Sequence, residues 1–487
     1  MEDRDVRTPV EPEGNGGRTP KCVSRREFLK IAGVAGAAVG LGAGLGGLLA
    51  ACGGEEASTT TAAGETTSTA AGETATTAAG ETATTVASGA EQGDEVKCGY
   101  VLPITGAMAA FGAAASWEID WFNKNIWKDG IVLGDGKLHK ITVLLEDMQS
   151  DSNRAAQVAG DLITNAGVNL IGGSASAANV VPVRDTAEAL GCPCITYDCP
   201  GDAWNAGQPE GGFKWCWHTW FLLKDIVTNF LGIWDQVPTN KKIGTLFPNN
   251  ADGLAFNAGM PPAWEAAGYT TVDGGRFQDA TEDYSSVISL FKSEGVEILV
   301  GVMSPPDFSN FWKQSVQQGL KVKVSTQPKA LLFPDGVEAL GDLGAGQTVE
   351  TWFHPKFPYT SEVTGLTSQQ VADQYTADNN KQWTQPVCFF GQFEVWTDIL
   401  ERCTDPADKN AIIEATKGTK LMTVGGLVDW TTNPETYSGW WNFSRKPITG
   451  GQWVKGKGDY KYDLEIVTNL TDPDIPTTAM PIEIPYE

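Results

Sequence analysis

The chain has 487 residues, with 60 acidic and 35 basic side chains and a net charge of −25. That length exceeds one ordinary hydrophobic core, and so acidic a balance excludes a long nucleic-acid footprint. Nine cysteines stand at irregular spacing in a large chain, so they do not read as a disulfide scaffold.

The first segment reads as an export signal. Ser24-Arg25-Arg26-Glu27-Phe28-Leu29-Lys30 precedes an uncharged Gly/Ala-rich run that ends at Cys52. Paired arginines ahead of a mildly apolar stretch have the layout of a twin-arginine signal. The run is long enough to cross a bilayer, but its glycines make it a poor permanent anchor. Leu49-Ala50-Ala51-Cys52 resembles a bacterial lipoprotein processing box, which implies that Cys52 carries the lipid and heads the mature chain. Residues 53–92 follow, with the near-repeat AGETTSTAAGETATTAAGETATT and no aromatic residue. Such a stretch buries too little apolar surface to offset the entropy of ordering, and reads as a disordered spacer.

From residue 95 the pattern changes. EVKCGYVLPITG is a buried-strand signature ended by Gly106, and Phe111 sits in the loop that follows. KITVLLEDMQSD is a second strand, with Asp151 or Ser152 placed to cap the next helix. Asp147, where that strand ends, either touches a ligand or caps a loop. VNLIGGSASAANV runs from a strand into Gly and Ser at a helix start. Ser174 and Ser176 there serve either as plain N-caps or, with the free N–H groups, as a small carboxylate receiver. CPCITYD ends a fourth strand at Tyr197 and Asp198, where Asp198 either caps a loop or attracts an ammonium or amide N–H. Strand, Gly/Ser loop and helix in alternation predict a parallel sheet flanked by helices, with ligand beyond the strands' C-terminal ends.

KKIGTLFPNNADG restarts the pattern, and further strand–helix pairs predict a second parallel sheet over 220–350. VETWFHPKFP reads as a strand and a return to the first lobe, Val387 to Glu401 as a helix of that lobe, and LMTVGGLVDW as another connection. Only three histidines exist, at 139, 218 and 354, and no metalloprotease, nucleophile-elbow, Rossmann or Walker motif occurs. Binding is therefore favoured over catalysis, with no cofactor and no metal expected. An oxidising exterior allows a disulfide such as Cys199–Cys216.

Residues 95–354, and more loosely 355–470, resemble the periplasmic leucine/isoleucine/valine-binding proteins, the type I solute receptors of ATP-driven importers. The resemblance rests on VLPITGAMAAFG, on the run from KITVLLEDMQSD to GCPCIT, on KKIGTLFPNNADG, on TEDYSSVISLFKSEGVEILVGVMSPPDFSNFWKQSVQQGL and on LMTVGGLVDW. It implies an α/β fold of two lobes joined by three crossovers that close on a ligand. The expected divisions are 1–51 signal peptide, 52–94 lipidated Cys and linker, 95–219 first part of lobe one, 220–353 lobe two, 354–425 return to lobe one, and 426–487 return to lobe two and tail.

Carried over, the resemblance places a carboxylate clamp at Ser176 and around Tyr197 to Pro200, and Phe111 against the ligand. Met303 or Ser304 falls at the second lobe's contact, and Gln327 near its ammonium-binding acid. Pro200 stands where the family has a Thr hydroxyl, and Gln327 or its neighbour where it has an acid, with Asp198 a substitute from the other lobe. Trp215, Trp217, Trp220, Trp352 and Phe353 lean toward a larger or aromatic ligand, or belong to the core. The expected partners are a small-molecule solute, a membrane permease and, through the lipid, the outer face of the cell membrane. A monomer is expected, acting for an importer or alternatively as a sensor.

Overall fold

The computed structural model describes residues 89–278, 280–432 and 440–486, the side chains of residues 251 and 252 apart. The twin-arginine segment, Cys52 and most of the spacer lie outside the described residues.

Lobe one is built on β1 (Val96–Leu102), with the small hairpin β2 (Ile131–Val132) and β3 (Leu138–His139) beside it, then β4 (Ile141–Asp147), β5 (Leu170–Gly173), β6 (Cys194–Thr196) and β7 (Cys216–Trp220). Lobe two holds β8 (Lys242–Pro248), β9 (Thr270–Phe277), β10 (Ile298–Gly301), β11 (Val324–Thr326) and β12 (Gln347–Thr351). The returning chain adds the hairpin β13 (Lys420–Thr423) and β14 (Gly426–Asp429), then β15 (Phe443–Arg445), β16 (Thr449–Lys455) and β17 (Tyr462–Thr468).

The lobe-one sheet runs β15-β7-β6-β5-β1-β4, and every pairing in it is parallel. The lobe-two sheet runs β17-β16-β12-β11-β10-β8-β9, parallel from β9 to β12 and antiparallel at β16 and β17. Sheets with helices on both faces bury their central strands on each side, so those strands are almost continuously apolar. VKCGYVL and ILVG show this, with Tyr100, Val101, Ile298 and Val300 fully buried.

Gly172 is required by packing. A Cβ there would stand 2.7 Å from the Trp396 ring and 2.8 Å from the Ile195 carbonyl oxygen. Helix Phe390–Arg402, buried along nearly its whole length, therefore lies directly against the lobe-one sheet. Asp151 caps helix Ser152–Asp161 by accepting from Arg154 N at 2.8 Å, one of the two caps expected from sequence.

The chain crosses between lobes three times. It leaves lobe one after β7, returns after β12, and leaves again between β15 and β16. The sequence-based boundary put the last return at 426. In the sheets, Phe443–Arg445 still pairs with β7 of lobe one, so that crossing is made at Lys446–Ile448. Three residues are too few to show a strand period, and only the pairing reveals β15.

Candidate functional site between the lobes

Each lobe winds outward from one strand in both directions: β4-β1-β5 in lobe one and β9-β8-β10 in lobe two. Where the winding reverses, the loops at the C-terminal ends part and leave a crevice, the usual ligand position in open α/β sheets. The loops after β1, β5 and β6 form one such mouth, and those after β10, β11 and β12 the other.

On lobe one the loop backbone is held in costly conformations. Ala175 has φ 82°, Ser176 φ 66° and ψ 159°, and Asp198 φ 61°. Such values are rare for residues with a Cβ and persist only where surrounding contacts enforce them. Here Ser176 N donates to the Asp198 carbonyl at 2.8 Å and Tyr197 N to the Gly173 carbonyl at 3.0 Å, locking the ends of β5 and β6 together. Neither serine acts as a side-chain cap: Ser176 makes no such bond, and the buried Ser174 Oγ has no partner among the described residues.

Asp198 is 7% exposed and its Oδ2 has no partner among the described residues. Burial pushes its carboxyl well above the usual range, the Ala175 N–H pulls the other way, and the Glu350 carboxylate raises it further. Glu350, near the end of β12, is 6% exposed, its Oε2 has no partner among the described residues, and burial raises its pKa to about 7. Tyr100 OH, also unpartnered, lies within electrostatic reach of Asp198 and of the buried Glu118.

Aromatic rings join the two mouths. Phe111 of lobe one meets Phe333 of lobe two edge-on at 4.8 Å. Phe333 leads to Trp352 at 6.1 Å, and Trp352 stacks on Phe389 at 5.7 Å and meets Trp220 at 5.0 Å. Tyr197 closes the group against Trp220 and Phe389 at 6.4 and 6.5 Å, with its hydroxyl donating to the Gly391 carbonyl. Gln385, from the lobe-one return, accepts from Trp352 N and donates to the Leu332 and Glu350 carbonyls, tying the same wall to lobe two.

The other sequence-derived positions divide. Gln327 is buried beside Gly301 and Met303; its Nε2 donates to Ser325 Oγ at 3.2 Å and its Oε1 has no partner among the described residues. Met303 is buried after β10. The Ser304 hydroxyl is spent on its own helix, donating to Asp307 Oδ2 at 2.7 Å and accepting from Asp307 N at 3.3 Å. Asp147 is a loop clamp, accepting from Ile104 N, Thr105 N, Thr105 Oγ1 and Gln149 N.

The three histidines are structural. His218 bonds Thr196 Oγ1 and the Cys199 carbonyl and stacks on Trp204 at 5.0 Å. His354 bonds the Leu464 carbonyl, and His139 sits between Asp94 and Asp135. The suggested Cys199–Cys216 bridge is absent: both stand as thiols, and Cys216 donates to the Arg184 carbonyl. Glu350 was missed from sequence. An acid at the C-terminal end of an otherwise buried strand was its only signal, inside a stretch read as a crossover.

Residues 95–440 match the family described as periplasmic binding protein, and residues 22–42 match the twin-arginine translocation pathway signal sequence. Among curated proteins, the chain is 24% identical over 232 residues to Leu/Ile/Val-binding protein homolog 8 of Brucella abortus (strain 2308), covering 47% of this chain and 56% of that protein. Homolog 3 of Brucella melitensis is 22% identical over 205 residues, covering 42% and 53%. The chain thus spans about half the length of the curated relatives it matches. Among solved structures, a leucine-binding protein of Thermotoga maritima superposes with TM-score 0.63 at 19% identity, covering 77% of this chain and 99% of that one. A solute-binding protein of Rhodopseudomonas palustris BisB5, solved with 3,4-dihydroxybenzoic acid, gives 0.60 at 19% identity, covering 80% and 99%. At these identities the likeness to solved structures is one of fold.

Proposed function

Because the chain belongs to the periplasmic binding protein family and carries a twin-arginine export signal, we propose that it captures an amino acid or related small polar or aromatic solute between its lobes and delivers it to the permease of an ATP-driven importer. The family and fold are those of non-catalytic, extracytoplasmic solute receptors. On this reading a lipid at Cys52 tethers a monomeric body, and residues 53–92 give it reach. The observation that supports the proposal is that buried polar atoms without a partner among the described residues occur at strand ends of both lobes, Ser174 and Asp198 on one and Gln327 and Glu350 on the other. Half a site on each lobe binds weakly alone. Closure on a ligand desolvates it and completes both halves.

The test is native mass spectrometry of the purified protein, followed by thermal shift with amino acids, amides and aromatic acids. A co-purifying small molecule, or stabilisation by one class, supports the reading, since a ligand that binds only the folded state raises its stability by mass action. Turnover of the bound compound would overturn it.

A further inference from the structure

The balance of donors and acceptors between the lobes narrows the solute, provided the solute-binding reading holds. Asp198 Oδ2, Glu350 Oε2 and Gln327 Oε1 are buried oxygens without a donor among the described residues, and the first two belong to carboxyl groups from opposite lobes. Leaving such oxygens unpaired costs free energy that a matching donor recovers. The basic groups nearest the hinge are already engaged. Lys446 Nζ donates to the Trp352 and Gly425 carbonyls, and Arg445 pairs with Asp225 and Asp472. An anion entering here would face Asp198 and Glu350 together. A cation would meet two acceptors beside the aromatic wall of Trp220, Trp352 and Phe389, where Lys446 Nζ already lies 5.7 Å over the Trp220 ring and shows that these rings accommodate positive charge.

We propose that the solute is an organic cation with N–H donors, an amine, amidine or guanidine on an apolar or aromatic body, clasped between Asp198 of lobe one and Glu350 of lobe two. This differs from a zwitterion receptor, in which a single acid meets the ammonium and a hydroxyl and amide cluster meets the carboxylate. Here an acid stands on each lobe, so the positive group bridges them and closure depends on it.

The test is isothermal titration of the purified full chain with tyramine and agmatine as cations, 4-hydroxyphenylacetate as anion, L-leucine as zwitterion and benzamide as neutral amide. The amines are expected to bind in preference to the other three. Asp198→Asn and Glu350→Gln are each expected to weaken amine binding by about tenfold or more while the variants keep the parent's circular dichroism, since a charge-assisted hydrogen bond contributes roughly that factor. Preferred binding of L-leucine, the anion or benzamide overturns the charge assignment and leaves the solute-binding reading standing. Unchanged amine affinity in both variants also overturns the assignment, and silence of every probe overturns both readings.

Discussion

Lys446 is joined to Trp352 inside the hinge: its ammonium donates to the Trp352 carbonyl oxygen at 3.0 Å. The same ammonium reaches the Gly425 carbonyl, and Lys446 N donates to the Trp220 carbonyl at 2.9 Å. Trp220 ends β7 just before the first crossing, Trp352 follows β12 at the second, and Lys446 opens the third. One buried residue thus ties all three crossings at a point adjoining the aromatic wall of the site.

Lys446→Met keeps the length and apolar stem but leaves the Trp352 and Gly425 carbonyls without their donor. The expected loss is about 1–3 kcal/mol of unfolding free energy, the usual cost of orphaning a buried acceptor. Urea denaturation measures it. A midpoint equal to the parent's would mean that the burial cost of the ammonium, which lowers its pKa, cancels the bonds it makes.

Ser176 occupies a backbone region that is nearly glycine's alone. Ser176→Gly is expected to stabilise the ligand-free protein by about 1 kcal/mol by releasing that strain. Chemical denaturation compares the two. A less stable variant would show that the serine side chain contributes more than its conformation costs.

Phe111 and Phe333 form an edge-to-face pair between the lobes. Phe111→Ala removes that contact from the closed form, and such a pair contributes about 0.5–1.5 kcal/mol beyond simple burial. Affinity for whichever solute binds is expected to fall several-fold, with a larger radius of gyration in small-angle scattering. An unchanged radius would take this pair out of closure.

Stability is expected to decline on both sides of a maximum in pH. Burial lifts Glu350 from 4.5 to about 7, so its contribution is complete below about pH 4.5 and is lost as pH rises through about 7. Burial lowers His218 to about 3 and His354 to about 4, so their contribution is present above about 6.5 and lost as pH falls through those values. Glu350→Gln should therefore exceed the parent's stability at about pH 8 by on the order of 1–3 kcal/mol and match it near pH 4.5. Denaturant melts at the two pH values decide, and a gap that does not change with pH would remove Glu350 as its source.

Much of the architecture was legible in the residues. The alternation of apolar strand, Gly/Ser loop and amphipathic helix is local chemistry, and it dictated two α/β lobes and placed the mouths after the strands. The role of each polar residue at those mouths was not local. Asp147, Asp198 and Ser304 look alike in sequence, each a polar residue where a strand gives way to a loop or helix. Asp147 is consumed by four donors of neighbouring loops, and Ser304 by its own helix. Of the three, Asp198 alone keeps an oxygen without a partner among the described residues, on a loop pinned to the end of β5. Glu350 and the rings of Phe333 and Phe389 join the candidate site only through the packing of remote segments. Periodicity and capping act over a few residues and can be read along the chain. Burial and unmet hydrogen bonds depend on segments far apart in sequence, so only the tertiary structure decided which acids are buried with an oxygen left unpaired.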